Sequence, residues 1–237
     1  MVDEQFAALK ASQYALLSTK QISTISDSSA ALLTSSSISA LNAAQVAAIT
    51  KSAFQFISPE AIVGLNSKNI SGLESNQIIA LTNEQAAVLK PTQAKFLTIA
   101  QVEKLDTSDI LALQPTTLSA IPSTAFAKLD SLAFSSMSPE QIGKINFGQI
   151  MAMTDSQISK IGTDQANAFT PSQIAKFSAN QVLKLSPLAI ANLTTFAIAN
   201  LDISHFDVSR ISVLTVDQVP YLTQKQIKDT VKNNIPI

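Results

Sequence analysis

The chain has no cysteine and no tryptophan, one histidine, five glycines among 237 residues, and only 14% charged residues. Without cysteine there is no disulfide, no thiolate metal ligand and no cysteine nucleophile. The one histidine, His205, has Asp202 and Asp207 as its nearby carboxylates, too little for a metal site, and any Ser-His-Asp triad would have to use it. No G-x-G-x-x-G, P-loop, H-E-x-x-H or EF-hand pattern occurs. A formal net charge of -1 supplies no field to gather nucleic acid or an anionic membrane. No stretch approaches the ~18 to 20 consecutive apolar residues of a membrane span. The opening MVDEQFAALK carries two acids where a secretion signal would carry bases. These absences predict a soluble, non-enzymatic chain with no cofactor and no metal. They leave its compartment open, the cell surface and extracellular space included.

What is present is a repeat. Counted from Asp3, the chain divides without a gap into 25 octads ending at Asp202, among them SNQIIALT (75–82), PEQIGKIN (139–146) and PSQIAKFS (171–178). Position four is apolar or aromatic in all 25, and position seven is always Leu, Ile, Met or Phe. Position three is Gln in 14, position eight is Ser, Thr, Asn or Asp in 19, and six of the nine prolines stand at position one.

Each column has a physical meaning if the octad is a helix start. Ser, Thr, Asn or Asp at position eight is an N-cap for the following unit. Proline next to it costs nothing at the first helical position. Gln three residues past the cap completes a capping box, as in Ser138-Pro139-Glu140-Gln141 and Thr170-Pro171-Ser172-Gln173. Positions four and seven then share one face of a single turn, so Phe54, Phe126, Phe134, Phe169 and Phe177, which occupy them, read as core.

One long helix is excluded by its own geometry. Eight residues at ~100° each advance an apolar stripe by ~80° per octad, so no partner could follow it. A β coil would need period-two alternation and more turn glycines, whereas the apolar residues are spaced three, then five. The expected fold is therefore all-α: an elongated superhelical α-solenoid of about 25 helices, each too short to be stable alone and held by its neighbours.

A second period is visible in lysine. Lys128, Lys144, Lys160 and Lys176 recur at position six every 16 residues, suggesting a two-octad unit and either a solvated face or a basic binding ridge. The predicted organisation is an octad solenoid over 1–202. Over 203–237 come a register break at Ile-Ser-His-Phe-Asp (203–207), two resumed octads, and a fading tail that reads as a C-terminal cap. No cap of that kind is visible before Asp3, which predicts either a longer array or a face that stacks end to end on another chain.

Phrases such as Leu-Ser-Pro-Glu-Gln-Ile and Leu-Thr-x-x-Gln-Ile-x-x-Leu resemble the tandem Gln-(Ile/Val)-x-x-Leu arrays of some large bacterial surface and secreted adhesin-like proteins, over residues 3–202. That resemblance implies a spacer, stalk or adhesive role. Single octads such as FTPSQIAKFS also look like the opening of a TAL-effector repeat, but those repeats are far longer and carry a base-reading loop that has no counterpart here. The functional expectation is a structural or interaction protein, a spacer, scaffold or self-assembling element, with protein partners or copies of itself and not nucleic acid. The alternative is a module binding a peptide, glycan or acidic ligand on a concave face or the lysine ridge.

Overall fold

A computed structural model describes residues 5, 6 and 8–232. The start of the first octad at Asp3 and the last five residues of the expected cap, 233–237, lie outside the described residues. Within them the chain is all-helical, with 25 α-helices, two short 3₁₀ turns and no strand. All the α-helices have four to six residues except Gln224–Lys232, which has nine. No described helix is long and apolar enough to cross a membrane.

The octad folds as its columns require. Position eight is extended and caps the next helix: the Ser138 side chain accepts from the Gln141 N–H at 3.2 Å, and that of Asn146 from the Gln149 N–H at 2.9 Å. Gln returns the bond, its Oε1 accepting from the cap N–H, as at Ser138 (2.9 Å) and Thr170 (2.8 Å). This half survives where the cap side chain accepts nothing, at Glu74, Lys90 and Gly162.

The helix closes when the position-seven N–H bonds the position-four carbonyl, as in Leu65 to Ile62 (3.0 Å) and Ile161 to Ile158 (3.2 Å). Position seven then takes an extended backbone, with φ -64° and ψ 127° at Ile57 and φ -59° and ψ 135° at Leu185. A turn made this way requires no left-handed residue, which is why so many helix ends need so few glycines.

The chain forms two compact units, 1–133 and 134–237. In the first, each helix packs on the one three octads later: Ala11–Tyr14 on Ser35–Ala40, Asp27–Ala31 on Lys51–Phe56, and Asn83–Ala87 on Thr107–Ala112. In the second, Pro139–Lys144 packs on Thr163–Ala168, and Pro171–Ile174 on Thr195–Ile198. Positions four and seven line the interior of each unit, including the five phenylalanines assigned to the core, with Phe54, Phe126 and Phe134 at 1% exposure or less. Other aromatic residues stand outside: Phe56, Phe96, Phe147 and Phe196 are exposed at positions six, six, one and two.

Stacking at an interval of three octads differs from the two-octad unit that the lysine spacing suggested. A solvent-facing column carries no record of how many helices complete a turn, because lysine tolerates any exposed site.

Candidate functional site

The densest recurring chemistry is internal. From Ser29 to Ala197 position three is as buried as the apolar columns, with Gln77 and Gln149 at 0% and Gln157 at 1% exposure. In the rungs within each unit the Gln Oε1 serves its own helix and its Nε2 reaches a neighbouring turn. Gln93 Nε2 donates to the carbonyls of Ile62 (3.0 Å) and Leu65 (2.8 Å), which lie 31 and 28 residues earlier. Gln77 does so to Val46 and Ile49, Gln85 to Phe54 and Ile57, and Gln101 to Ile70 and Leu73. In the second unit Gln173 bonds Ile142 and Ile145, and Gln181 bonds Ile150 and Met153.

These acceptors are the position-four and position-seven carbonyls of the octad four back, the first already taking the closing bond of its own turn and the second left by the helix end without an intrahelical partner. A ladder of glutamines therefore ties successive turns together, and one turn spans between three and four octads. Asn69 performs both roles with a shorter arm, accepting from the Asn66 N–H and donating to Ile38 and Leu41. Thr117 keeps one rung, to the Leu89 carbonyl at 2.7 Å.

The ladder also explains the break at 203–207. Gln218 bonds the Ile190 and Leu193 carbonyls, and Gln226 bonds Ile198 and Leu201, at intervals of 28 and 25 residues instead of 31 and 28. Each interval has shortened by three, the number of residues that a five-residue unit lacks. Ile203 and Phe206 are buried like positions four and seven and share their closing bond at 3.0 Å, and Asp207 caps the helix Val208–Ile211. The segment is thus an octad that has lost its first three residues, and the repeat continues through Gln226 where the sequence had read a fading tail.

One rung is chemically anomalous. Asp109 occupies position three, is 4% exposed, and keeps only the capping half, its Oδ2 accepting from the Asp106 N–H at 3.0 Å. Burial pushes its carboxyl up to about 6, against that hydrogen bond, and the negative charge of Asp106 raises it further. A folded value above the unfolded one means that its stabilising share is complete below about pH 4 and is lost as pH rises through 6. Asp109→Gln supplies the missing donor and removes the buried charge. It should raise stability at pH 7 by about 1 to 2 kcal/mol, allowing for screening by nearby water. It should also abolish the decline between pH 4 and 6. Urea midpoints at pH 4.5 and pH 7 measure both effects, and equal midpoints for variant and parent at pH 7 would refute the assignment.

The residues singled out for binding lie outside this ladder. Lys128, Lys144, Lys160 and Lys176 are all exposed. Lys144 closes the helix Pro139–Lys144, whose packing partner Thr163–Ala168 carries neither Lys160 nor Lys176. In the same column Lys184 meets Asp155 at 3.2 Å, and Lys176 lies over the exposed Phe147 ring at 5.3 Å. His205 is exposed, and its Nδ1 lies 3.0 Å from the Ser204 hydroxyl, which donates to Asp202 at 2.6 Å. The serine thus stands between acid and imidazole, whereas a catalytic triad needs the imidazole in the middle. Among the described residues no group of three His, Asp or Glu is placed to hold a metal ion. No protein-family model matches the chain, and no curated protein matches it.

Proposed function

We propose that the chain is a structural and interaction array, a spacer or scaffold whose working property is its repeat and not a catalytic centre. The supporting observation is the direction of its recurring chemistry: the position-three amide, the cap hydroxyl and the two apolar columns are all used within the array. What faces water varies from octad to octad, position two alone holding Glu, Ser, Lys, Ala, Asn, Thr, Leu, Gly, Asp and Phe. A binding groove of fixed specificity would need a constant outward column. The resemblance to bacterial surface arrays supports a spacer role.

The test is made in the organism's own setting, by comparing two kinds of variant. Removing whole octads should change the phenotype in proportion to the number removed. Replacing exposed residues in blocks, including Lys128, Lys144, Lys160 and Lys176 by Ser, should leave it unchanged while circular dichroism stays helical. Loss of the phenotype in a folded surface variant would overturn the spacer reading in favour of ligand binding by that block.

A further inference from the structure

Asp109 stands where the ladder should be tied, and its surroundings identify what can tie it. Asn69, also at position three, has a side chain of the same length and shape. Its Oδ1 accepts from the Asn66 N–H at 2.6 Å, while its Nδ2 donates to the Ile38 and Leu41 carbonyls at 2.9 and 3.3 Å. Asp109 makes the first of these bonds, its Oδ2 accepting from the Asp106 N–H. In that posture its Oδ1 takes the place of the Asn69 nitrogen, toward the equivalent carbonyls of Ile78 and Leu81, 31 and 28 residues earlier. No described side chain donates to either. Ile78 accepts the Leu81 N–H that closes its turn, at 3.0 Å, and the Leu81 carbonyl accepts no hydrogen bond from the described residues.

Two further features mark this rung. Leu81 is the one position-seven residue between Ile25 and Leu201 that is not buried. Asp109 also opens the longest run of position-three residues without an amide: Asp109, Thr117, Ala125 and Ala133, four octads in succession. Alanine has no side-chain donor, so the bond from Thr117 to the Leu89 carbonyl is the neutral tie left to this turn. The turn 107–133 therefore lacks the rungs that hold its predecessors, and a change at Asp109 is not shared among strong neighbours.

We propose that Asp109 completes its rung as a carboxylic acid, its Oδ1–H donating to the Leu81 carbonyl, so that one proton locks the turn 107–133 onto the octads before it and loss of that proton lets the turn open locally. The protonated group has one donor and one free acceptor oxygen, the complement that Asn69 uses. The ionised group has acceptors alone and sets a charge against two carbonyls. Burial pushes the Asp109 carboxyl up to about 6, which brings the change within reach of mild acidification. The charged groups around it are also acids: Asp106 at its own cap, and Glu84 on the helix Asn83–Ala87 that packs against Thr107–Ala112. Octad 75–82 carries no charge. The lock is therefore closed below about pH 5 and released as pH rises through 6. This device goes beyond the spacer reading and does not depend on it.

The experiment is hydrogen exchange of the full chain, read by mass spectrometry at pH 5 and pH 7.5 and corrected for the intrinsic pH dependence of exchange. In the parent, peptides from 107–133 should exchange about tenfold faster at pH 7.5 than at pH 5, while those from 43–66 stay level. Asp109→Asn, which keeps a donor at every pH as Asn69 does, should exchange slowly at both. Asp109→Ala, which removes it, should exchange fast at both. Carbon NMR of the aspartate carboxyls should show one that titrates near 6 and is missing from the Asp109→Asn spectrum. Five results would each overturn the proposal: an Asp109 that titrates near 4 with ordinary carboxylates, equal parent exchange of 107–133 at the two pH values, an acceleration shared by 43–66, a pH dependence that persists in Asp109→Asn, or an Asp109→Ala protein as protected at pH 5 as the parent.

Discussion

Gln93→Ala should lower stability in urea unfolding by about 2 to 4 kcal/mol, because it leaves the Leu65 carbonyl buried without a donor and removes a partner of the Ile62 carbonyl. The third bond lost, from the Lys90 N–H to Oε1, matters less because that cap is exposed and water can replace the side chain. Gln93→Glu separates the two functions of the residue. It keeps an acceptor for the cap but turns a carboxylate oxygen toward two carbonyls, so it should cost more than alanine at pH 7 and recover on acidification as the carboxyl protonates. Gln93→Asn should fall between wild type and alanine, since Asn69 shows that the shorter amide can form both halves. If glutamate is tolerated as well as glutamine at pH 7, the rung contributes nothing beyond the capping box.

That comparison also locates what was legible in the sequence. The octad register, the cap at position eight, proline at position one and the buried pair at positions four and seven are local, each acting within eight residues, and all could be read from the columns. The capping box accounts for a Gln or a Glu at position three equally well. Yet the column holds Gln 14 times and Glu never. The absence of glutamate, with Asp109 the one carboxylate in the column, is the one trace the sequence carries of a donor requirement, and it points to an acceptor outside the helix.

The number of octads per turn left no comparable mark. It is set by how the extended residues at positions seven and eight orient one short helix on the next. The missing three residues before Ile203 looked like a loss of pattern because a linear register counts residues, whereas the fold counts rungs. Written as positions four to eight, Ile203, Ser204, His205, Phe206 and Asp207 fit the columns throughout.

Gly64→Ala should be among the most damaging single substitutions in the first unit, at about 3 kcal/mol or more, although alanine is the better helix former. Gly64 stands at position six of octad 59–66, where the helix Pro59–Ile62 ends against Ser35–Ala40. A Cβ there would lie 2.1 Å from the Ser35 carbonyl oxygen and 2.7 Å from the Ser35 Cα. Both obstacles are backbone, so no side-chain rotation relieves the overlap and the two turns must separate, taking buried Ile38 and Ile62 apart with them. For the same reason Ser35→Gly should not rescue the variant, although it would if the clash were with the serine side chain. Gly143 supplies the contrast, since its added Cβ would meet only the Ala168 carbonyl oxygen at an ordinary 3.7 Å. Gly143→Ala, within the helix Pro139–Lys144, should therefore stabilise by about 0.5 to 1 kcal/mol through helix propensity alone. Thermal or urea unfolding of the three variants measures the difference, and a Gly64→Ala protein within about 0.5 kcal/mol of wild type, the range of a neutral surface change, would show that the turns do not pack backbone to backbone at this point.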